Sequence, residues 1–428
     1  MKNSKINHKN NKENKKDKNN KKYKNIKEHE NIKEHENDKE HKKYKNNELI
    51  CSVANKCGGC QLLHKPYADQ LQEKEKIVSR LLAPFGRLEG IIGMEYPYFY
   101  RNKVHAVFAG AKGGKIISGV YREGTHEVIA VDKCLIEEQQ ADAIIGTIKK
   151  LMPSFKIKPY NEDNGYGFLR HVLIRAGHNS GEIMVVLVTS TPVFPSKNNF
   201  VKALRKEHPQ ITTIVQNINS RNTSMVLGEQ EKVLFGPGYI VDTLCDKIFK
   251  ISPKSFYQVN SVQTEVLYKT AMEFADFHGG ERVLDAYCGI GTIGIVASDY
   301  VNQVIGVELN PDAVRDAKEN ARKNQVKNIR FYQKDAGKFM MEMARRNEKV
   351  DIVLMDPPRA GSDEAFLKST VRLSPKKIVY ISCNPQTLAR DLEFLTKHGY
   401  QMKRAKAIDM FPQVCHVETI VSIQRKTS

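Results

Sequence analysis

No stretch of this 428-residue chain is apolar for long enough to cross a bilayer, which excludes a protein held by membrane-spanning helices. The lysine-rich N-terminus has no hydrophobic segment behind it, so it does not read as a secretory signal. There is no G-x-x-x-x-G-K-[ST] stretch, and a P-loop ATPase is thereby excluded. A basic amphipathic anchor for an acidic membrane is also missing. Acidic residues are in short supply: 49 Asp+Glu stand against 68 Lys+Arg, for a net charge of +19. Residues 1–50 hold sixteen lysines against nine acids, which leaves +7 there and +12 on the rest of the chain. A body this basic favours a polyanionic partner, most simply nucleic acid, although charge alone also fits a merely soluble basic protein. A cytoplasmic monomer without membrane partners is expected.

The length allows two or three domains, and a hydrophobic fraction of 40% can build their cores. Residues 1–48 are lysine, asparagine, glutamate and histidine with almost no hydrophobes, and Asn25-Ile26-Lys27-Glu28-His29-Glu30 repeats at once as residues 31–36. Burial in such a segment cannot offset the entropy of ordering it, so a disordered basic tail is expected. Residues 49–250 read as a β-rich central domain and 251–428 as a catalytic domain. Within the central part, residues 65–83 form a plausible amphipathic helix with Leu71, Ile77, Val78, Leu81 and Leu82 on its apolar side. Short strands follow at 104–108, 117–121, 172–175, 183–189 and 211–217. Tyr98-Phe99-Tyr100-Arg101-Asn102-Lys103 and Phe168-Leu169-Arg170-His171 set rings beside cations, as stacking on unpaired bases requires. Ordinary strand aromatics with solvated charges fit both stretches equally well.

Eight cysteines occur: Cys51, Cys57, Cys60, Cys134, Cys245, Cys288, Cys383 and Cys415. A cytosolic chain of this size does not need disulfides, so the clustering points to metal and catalysis. Two glycines lie between Cys57 and Cys60 and let the backbone fold tightly around a bound centre. With Cys51, and Cys134 as the best fourth candidate, four thiolates suit an iron–sulfur cluster or a structural zinc. The irregular spacing is not the paired CxxC of a zinc ribbon and favours [4Fe–4S].

From residue 282 the pattern alternates strand and helix: 282–285, 304–308, 329–333, 350–355 and 377–381 are strands, with helices at 291–298 and 311–324 between them. Two more strands, 401–408 and 417–424, close the chain as an antiparallel pair joined by a turn. Five βα units and this pair give a doubly wound sheet. In such sheets ligands sit outside the carboxyl ends of the strands. Asp285-Ala286-Tyr287-Cys288-Gly289-Ile290-Gly291 lies at the first such end, Glu308 at the second, Asp335 at the third and Asp356 at the fourth. The glycines alone fit a dinucleotide or S-adenosylmethionine. Asp285 would repel a pyrophosphate and suits a cationic ligand. The strand Ile378–Ile381 delivers Cys383 to the same edge and stops at Pro385. A small core cysteine is the commoner fate of a free thiol, but here the thiol stands where a substrate would meet it.

Taken together, these pieces resemble the S-adenosylmethionine-dependent RNA (uracil-5-)-methyltransferases, in particular the iron–sulfur 23S rRNA members. The matching residues are the four cysteines, Ser255-Phe256-Tyr257-Gln258-Val259-Asn260, the 285–291 turn, Asp356-Pro357-Pro358-Arg359, Ser382-Cys383-Asn384-Pro385 and His416-Val417-Glu418. The resemblance implies an α/β fold: a doubly wound, Rossmann-like methyltransferase domain with a C-terminal antiparallel strand pair, preceded by a β-rich, RNA-binding central domain carrying a [4Fe–4S] cluster. It implies Cys383 as nucleophile and Glu418 as base. Gln258, Tyr287, Glu308, Asp335 and Asp356 become S-adenosylmethionine contacts, and Cys51, Cys57, Cys60 and Cys134 the cluster ligands. Many members carry an N-terminal β-barrel for RNA, and residues 1–48 are too polar to form one. The expected reaction is methylation of uridine C5 in 23S rRNA. A tRNA T-loop uridine is the alternative substrate, and a non-catalytic iron–sulfur RNA-binding protein is the reading from another class. Nothing in the sequence identifies the group that activates Cys383.

Overall fold

The computed structural model describes residues 50–426. The expected tail, 1–48, lies outside them. The chain divides into Met1–Ser52 and Val53–Ser428, and the second unit carries all the elements that follow.

After the helix Tyr67–Leu82 come β1 (Ile91–Ile92), β2 (Lys103–Gly110), β3 (Ile116–Tyr121), β4 (Val128–Ala130), β5 (Leu169–Ala176), β6 (Ile183–Thr189), β7 (Ile211–Ile218) and β8 (Gln230–Phe235). Strands β2 to β8 form one seven-stranded sheet in the order β4-β3-β2-β5-β6-β7-β8. Its pairs are antiparallel except β6 with β7, which the helix Lys197–Glu207 joins as a crossover. One face buries Val104, Phe108, Val172 and Ile174 against Ile144, Ile148 and Met152 of the helix Gln139–Ser154 and Phe200 and Leu204 of the crossover helix. The period-two alternation of these strands is what separates that face from the other.

A hairpin of β9 (Ile240–Leu244) and β10 (Lys247–Ile251) leads to the helix Ser261–Ala275. Then β11 (Arg282–Ala286), β12 (Gln303–Glu308), β13 (Ile329–Gln333), β14 (Ile352–Met355), β15 (Lys377–Ser382), β16 (Tyr400–Ile408) and β17 (Glu418–Arg425) build an eight-stranded sheet. Its order is β1-β16-β17-β15-β14-β11-β12-β13. Strands β11 to β15 run parallel, and β17 enters antiparallel between β15 and β16. Parallel strands are buried on both faces, and their near-continuous Val/Ile/Leu runs answer to that. Asn310 before Pro311 and Asn384 before Pro385 cap the helices that follow β12 and β15, each side chain accepting from the first turn.

Three features depart from the sequence-based reading. Strand β1, from residues 91–92, pairs with β16 and so joins the C-terminal sheet. The connection between β16 and β17 is a nine-residue segment, 409–417, buried except at Phe411, Cys415 and His416, and longer than the turn expected. The buried face of the helix Tyr67–Leu82 is Gln70, Lys74, Val78 and Leu82, whereas Leu71, Ile77 and Leu81 are only partly covered. Polar Gln70 and Lys74 are not among the residues expected on the apolar side, because a sequence pattern does not show a distant partner.

Candidate active site

Because β11 to β15 are parallel, their carboxyl ends share one edge of the sheet. Strand β17 runs the other way, so its first residue, Glu418, stands on that same edge. The last rung between β15 and β17 pairs Ser382 with Thr419. One step beyond it lie Cys383 on one side and Glu418 on the other. Asp356 follows β14, the neighbour of β15. The topology therefore brings the expected nucleophile, the expected base and one expected cofactor acid together.

The electrostatics of this trio are strained toward the neutral forms. Burial, then the charges of Glu418 and Asp356, push the Cys383 thiol up to about 11. Burial first and Asp356 second push the Glu418 carboxyl well above the usual carboxylate range. Asp356 itself is raised to about 7 by burial. Of the two Glu418 oxygens, Oε2 has no hydrogen-bond partner among the described residues. A buried oxygen left unmatched is costly, and it suits a group whose partner arrives with the substrate.

One cation opposes the shifts of Cys383 and Glu418. The charge of Arg359 pulls both Cys383 and Glu418 back toward ionisation. Its backbone carbonyl accepts from Asn384 Nδ2 at 3.2 Å and from Thr387 Oγ1 at 3.4 Å, which ties the Asp356-Pro357-Pro358-Arg359 turn to the turn after Cys383. Cys383 also directly precedes the N-cap of the 13-residue helix Pro385–Lys397, whose positive end favours a thiolate. Sequence reasoning named neither of these two influences on Cys383. Arg359 stood in a quoted motif, but only the fold shows which side chains its charge reaches.

On the cofactor side, Glu308 spends Oε2 on the Gly289 N–H at 3.1 Å and Oε1 on the Asn310 N–H at 2.8 Å, locking the turns after β11 and β12 together. Glu308, Gly289 and Asn310 line a cavity of about 340 Å³ with Ser255 and Phe256, the latter 68% exposed at its rim. Gln258, Tyr287, Asp335 and Asp356 are not among the residues lining it. Gln258 is buried, and its backbone carbonyl accepts from Asn102 Nδ2 at 3.0 Å. Tyr287 packs its ring on Phe366 with centroids 4.9 Å apart. Asp335 caps the helix Ala336–Arg345 by accepting from the Lys338 N–H at 2.8 Å. Asp285 departs from its reading as a ligand-facing charge: it is buried, accepts from the Gly294 N–H at 2.9 Å, and is raised to about 8 by burial.

The cysteines divide. Cys57, Cys60 and Cys134 line one cavity of about 320 Å³ together with Arg101 and Lys103. Gly58 has a left-handed φ of 70°, which favours glycine at that turn, and a Cβ on Gly59 would stand 3.3 Å from Cys57 Sγ, a tight contact. Cys51 belongs to the first unit. Among the described residues no three His, Cys, Asp or Glu side chains converge on a single metal position.

The second aromatic-basic stretch is structural. Arg170 is buried and forms a two-pronged pair with Glu162, Leu169 is in the core, and Phe168 packs edge-on to Phe194. Tyr100 of the first stretch is likewise buried, with its hydroxyl on the Pro412 carbonyl at 3.0 Å.

Residues 66–426 match the profile described as tRNA (Uracil-5-)-methyltransferase. The chain belongs to that family. It is an S-adenosylmethionine-dependent RNA methyltransferase. An uncharacterized RNA methyltransferase of Clostridium acetobutylicum is 44% identical over 388 residues, covering 88% of this chain and 84% of that one. Another, from Halalkalibacterium halodurans, is 43% identical over 384 residues, covering 89% and 84%. Among solved structures, the Pyrococcus abyssi tRNA (uracil-54, C5)-methyltransferase in complex with S-adenosyl-L-homocysteine is similar with a TM-score of 0.72, at 28% identity and 88% coverage of both chains. No helix among the described residues is long and apolar enough to cross a membrane.

Proposed function

We propose that this family member methylates uridine C5 in RNA through a covalent adduct between Cys383 and C6 of the base. The observation that carries the reading is the placement of Cys383 and Glu418 one step beyond the same rung of the β15–β17 ladder, with Arg359 acting on both.

C5 of uracil is a poor nucleophile toward a sulfonium methyl. Addition of the Cys383 thiolate at C6 turns the ring into an enolate and makes C5 carbanion-like. C5 then takes the methyl group. Glu418 removes the remaining C5 proton, the C5=C6 double bond re-forms, and the thiolate leaves. Arg359 and the helix start at Asn384 hold the thiolate. Glu308 and the Gly289 turn form one wall of the S-adenosylmethionine site, with Gln258, Tyr287, Asp335 and Asp356 as its further contacts. The uridine must be unstacked to reach the thiol.

For the substrate, the four cysteines favour 23S rRNA. A tRNA T-loop uridine is the second reading, favoured by the fold it shares with a tRNA (uracil-54, C5)-methyltransferase. Cys57, Cys60 and Cys134, with Cys51 as the fourth thiol on sequence spacing, are the proposed [4Fe–4S] ligands. Three thiols on one cavity wall suit a cluster, which spreads its ligands wider than one ion does. The methyl transfer needs no electron, so a structural role is assigned to it. Broad visible absorbance with iron and acid-labile sulfide in anaerobically prepared protein, lost in Cys134→Ser, tests the cluster.

The deciding experiment uses RNA tritiated at uridine C5. Release of tritium to water, dependent on S-adenosylmethionine, is expected. Comparing rRNA and tRNA transcripts identifies the substrate, and no release from either overturns the enzyme reading.

A further inference from the structure

The segment 409–417 between β16 and β17 has no regular structure, yet Asp409, Met410, Pro412, Gln413 and Val414 are all buried. Connections normally run over the surface because a buried one carries polar backbone that must be matched. Here the matching is complete along five consecutive carbonyls. The Asp409 carbonyl accepts from Gln263 Nε2 at 3.0 Å, and that of Met410 from Asn260 Nδ2 at 3.1 Å. The carbonyls of Phe411, Pro412 and Gln413 accept, each at 3.0 Å, from Lys74 Nζ, the Tyr100 hydroxyl and the Leu62 N–H.

The side chains below are held as firmly. Lys74 Nζ lies 2.6 Å from Asp409 Oδ1, with both residues buried, and the Tyr67 hydroxyl donates to Asp409 Oδ2 at 2.9 Å. Gln70 and Gln413 exchange two bonds, Nε2 to Oε1 at 2.8 Å and N–H to Oε1 at 3.0 Å. A buried ion pair is a poor source of stability compared with apolar packing of the same volume; what it supplies is a single allowed register. Gln413 adopts a left-handed φ of 71°, a conformation that persists in a non-glycine residue only when its surroundings fix it. Five residues further on is Glu418.

We propose that Asp409–Gln413 is a rigid cradle that fixes the Glu418 carboxylate against the C5 proton, and that Lys74, Gln70 and Tyr100 are positioning residues for that base. The inference rests on the proposed function. Glu418 enters only after methyl transfer, when it takes the C5 proton, the C5–H electron pair closes C5=C6, and the C6–S bond breaks to return the Cys383 thiolate. Loosening the cradle therefore slows one step and leaves thiolate addition and methyl transfer in place.

The test pairs Tyr100→Phe, which removes one hydroxyl and keeps the ring, with the double variant Lys74→Met/Asp409→Leu, which removes the charges and keeps the volume. Each is mixed with S-adenosylmethionine and the RNA that wild type methylates. Tritium release should fall about tenfold or more, since small misplacements of reacting groups act on that scale. Covalent protein–RNA adduct on a denaturing gel should rise severalfold, with RNA affinity unchanged. Release at the wild-type rate, or a fall without adduct, overturns the proposal. Should the double variant not fold, Tyr100→Phe decides alone. Wild-type protein that releases no tritium would instead refute the function on which the proposal stands.

Discussion

Cys383 and Glu418 flank the end of one ladder, each a single residue beyond the Ser382–Thr419 rung. Thirty-five residues of sequence separate them, and the insertion of β17 between β15 and β16 removes that distance. The pair sits in a patch where burial favours neutral groups and the charge of Arg359 draws both toward ionisation. In such a patch thiol and carboxyl are both held toward their neutral forms and must be ionised to react.

Cys383→Ala should abolish both tritium release and adduct, by more than about 10³-fold, the scale on which loss of a nucleophile acts. Glu418→Gln should differ in kind: the adduct forms and accumulates, because the amide cannot take the C5 proton. A gel that shows adduct with Cys383→Ala, or none with Glu418→Gln, would remove the assigned roles.

Arg359→Gln should shift the pH dependence of kcat/KM to the alkaline side. Arg359 lowers the proton affinity of Cys383, itself held at about 11, and of Glu418. Both groups must be ionised to work, so activity rises with pH, and removing the cation moves that rise upward. Arg359 is exposed, so the shift should be about one pH unit, at the low end for a neighbouring charge. A profile that stays in place or moves to acid would show that Arg359 does not act on the pair.

The sequence exposed the parallel sheet well, because buried strands write long Val/Ile/Leu runs and each strand end carried an acid or a thiol. It placed Cys383, Glu308 and Asp356 at the carboxyl edge through residue types that follow strands. What it concealed depends on distant partners. Gln70 and Lys74 carry no sign in the sequence of their partners Gln413 and Asp409. Arg170 and Tyr100 fit RNA contact and ordinary strand packing equally well until Glu162 and the Pro412 carbonyl take them up. Asp285 looks ligand-facing until the Gly294 N–H claims it. In each case a polar side chain at the surface and one satisfied inside have the same local pattern.

Asp285→Asn should stabilise the protein increasingly as pH rises. In the folded chain burial raises this carboxyl from 3.8 to about 8. The native state therefore binds the proton more tightly than the unfolded state. Its contribution to stability is complete below pH 3.8 and is lost as pH climbs through 8. Asparagine keeps an oxygen for the Gly294 N–H and has no proton to lose. The melting temperature of the variant relative to wild type should grow between pH 4 and 8 and then level, corresponding to on the order of a few kcal/mol. A difference that is flat with pH would show that Asp285 is ionised in the native protein.

Gly306→Ala should weaken the fold and the cofactor site together. Gly306 lies within β12, paired with Asp285 of β11 and Phe331 of β13. A Cβ there would stand 2.4 Å from Phe331 Cδ1 and 3.1 Å from Cys288 Sγ, and neither a ring wedged in the core nor a buried thiol under the Gly289 turn can retreat freely. Overpacking of this kind costs about 1–3 kcal/mol. Relief requires β12 to shift, and Glu308, two residues on, holds the Gly289 N–H from that strand. The melting temperature should drop by several degrees, and titration calorimetry should show weaker S-adenosylhomocysteine binding. Phe331→Leu in the same chain should restore part of both by opening space for the methyl group. Loss of stability with binding intact would separate Gly306 from the Glu308–Gly289 link and leave it a packing residue only.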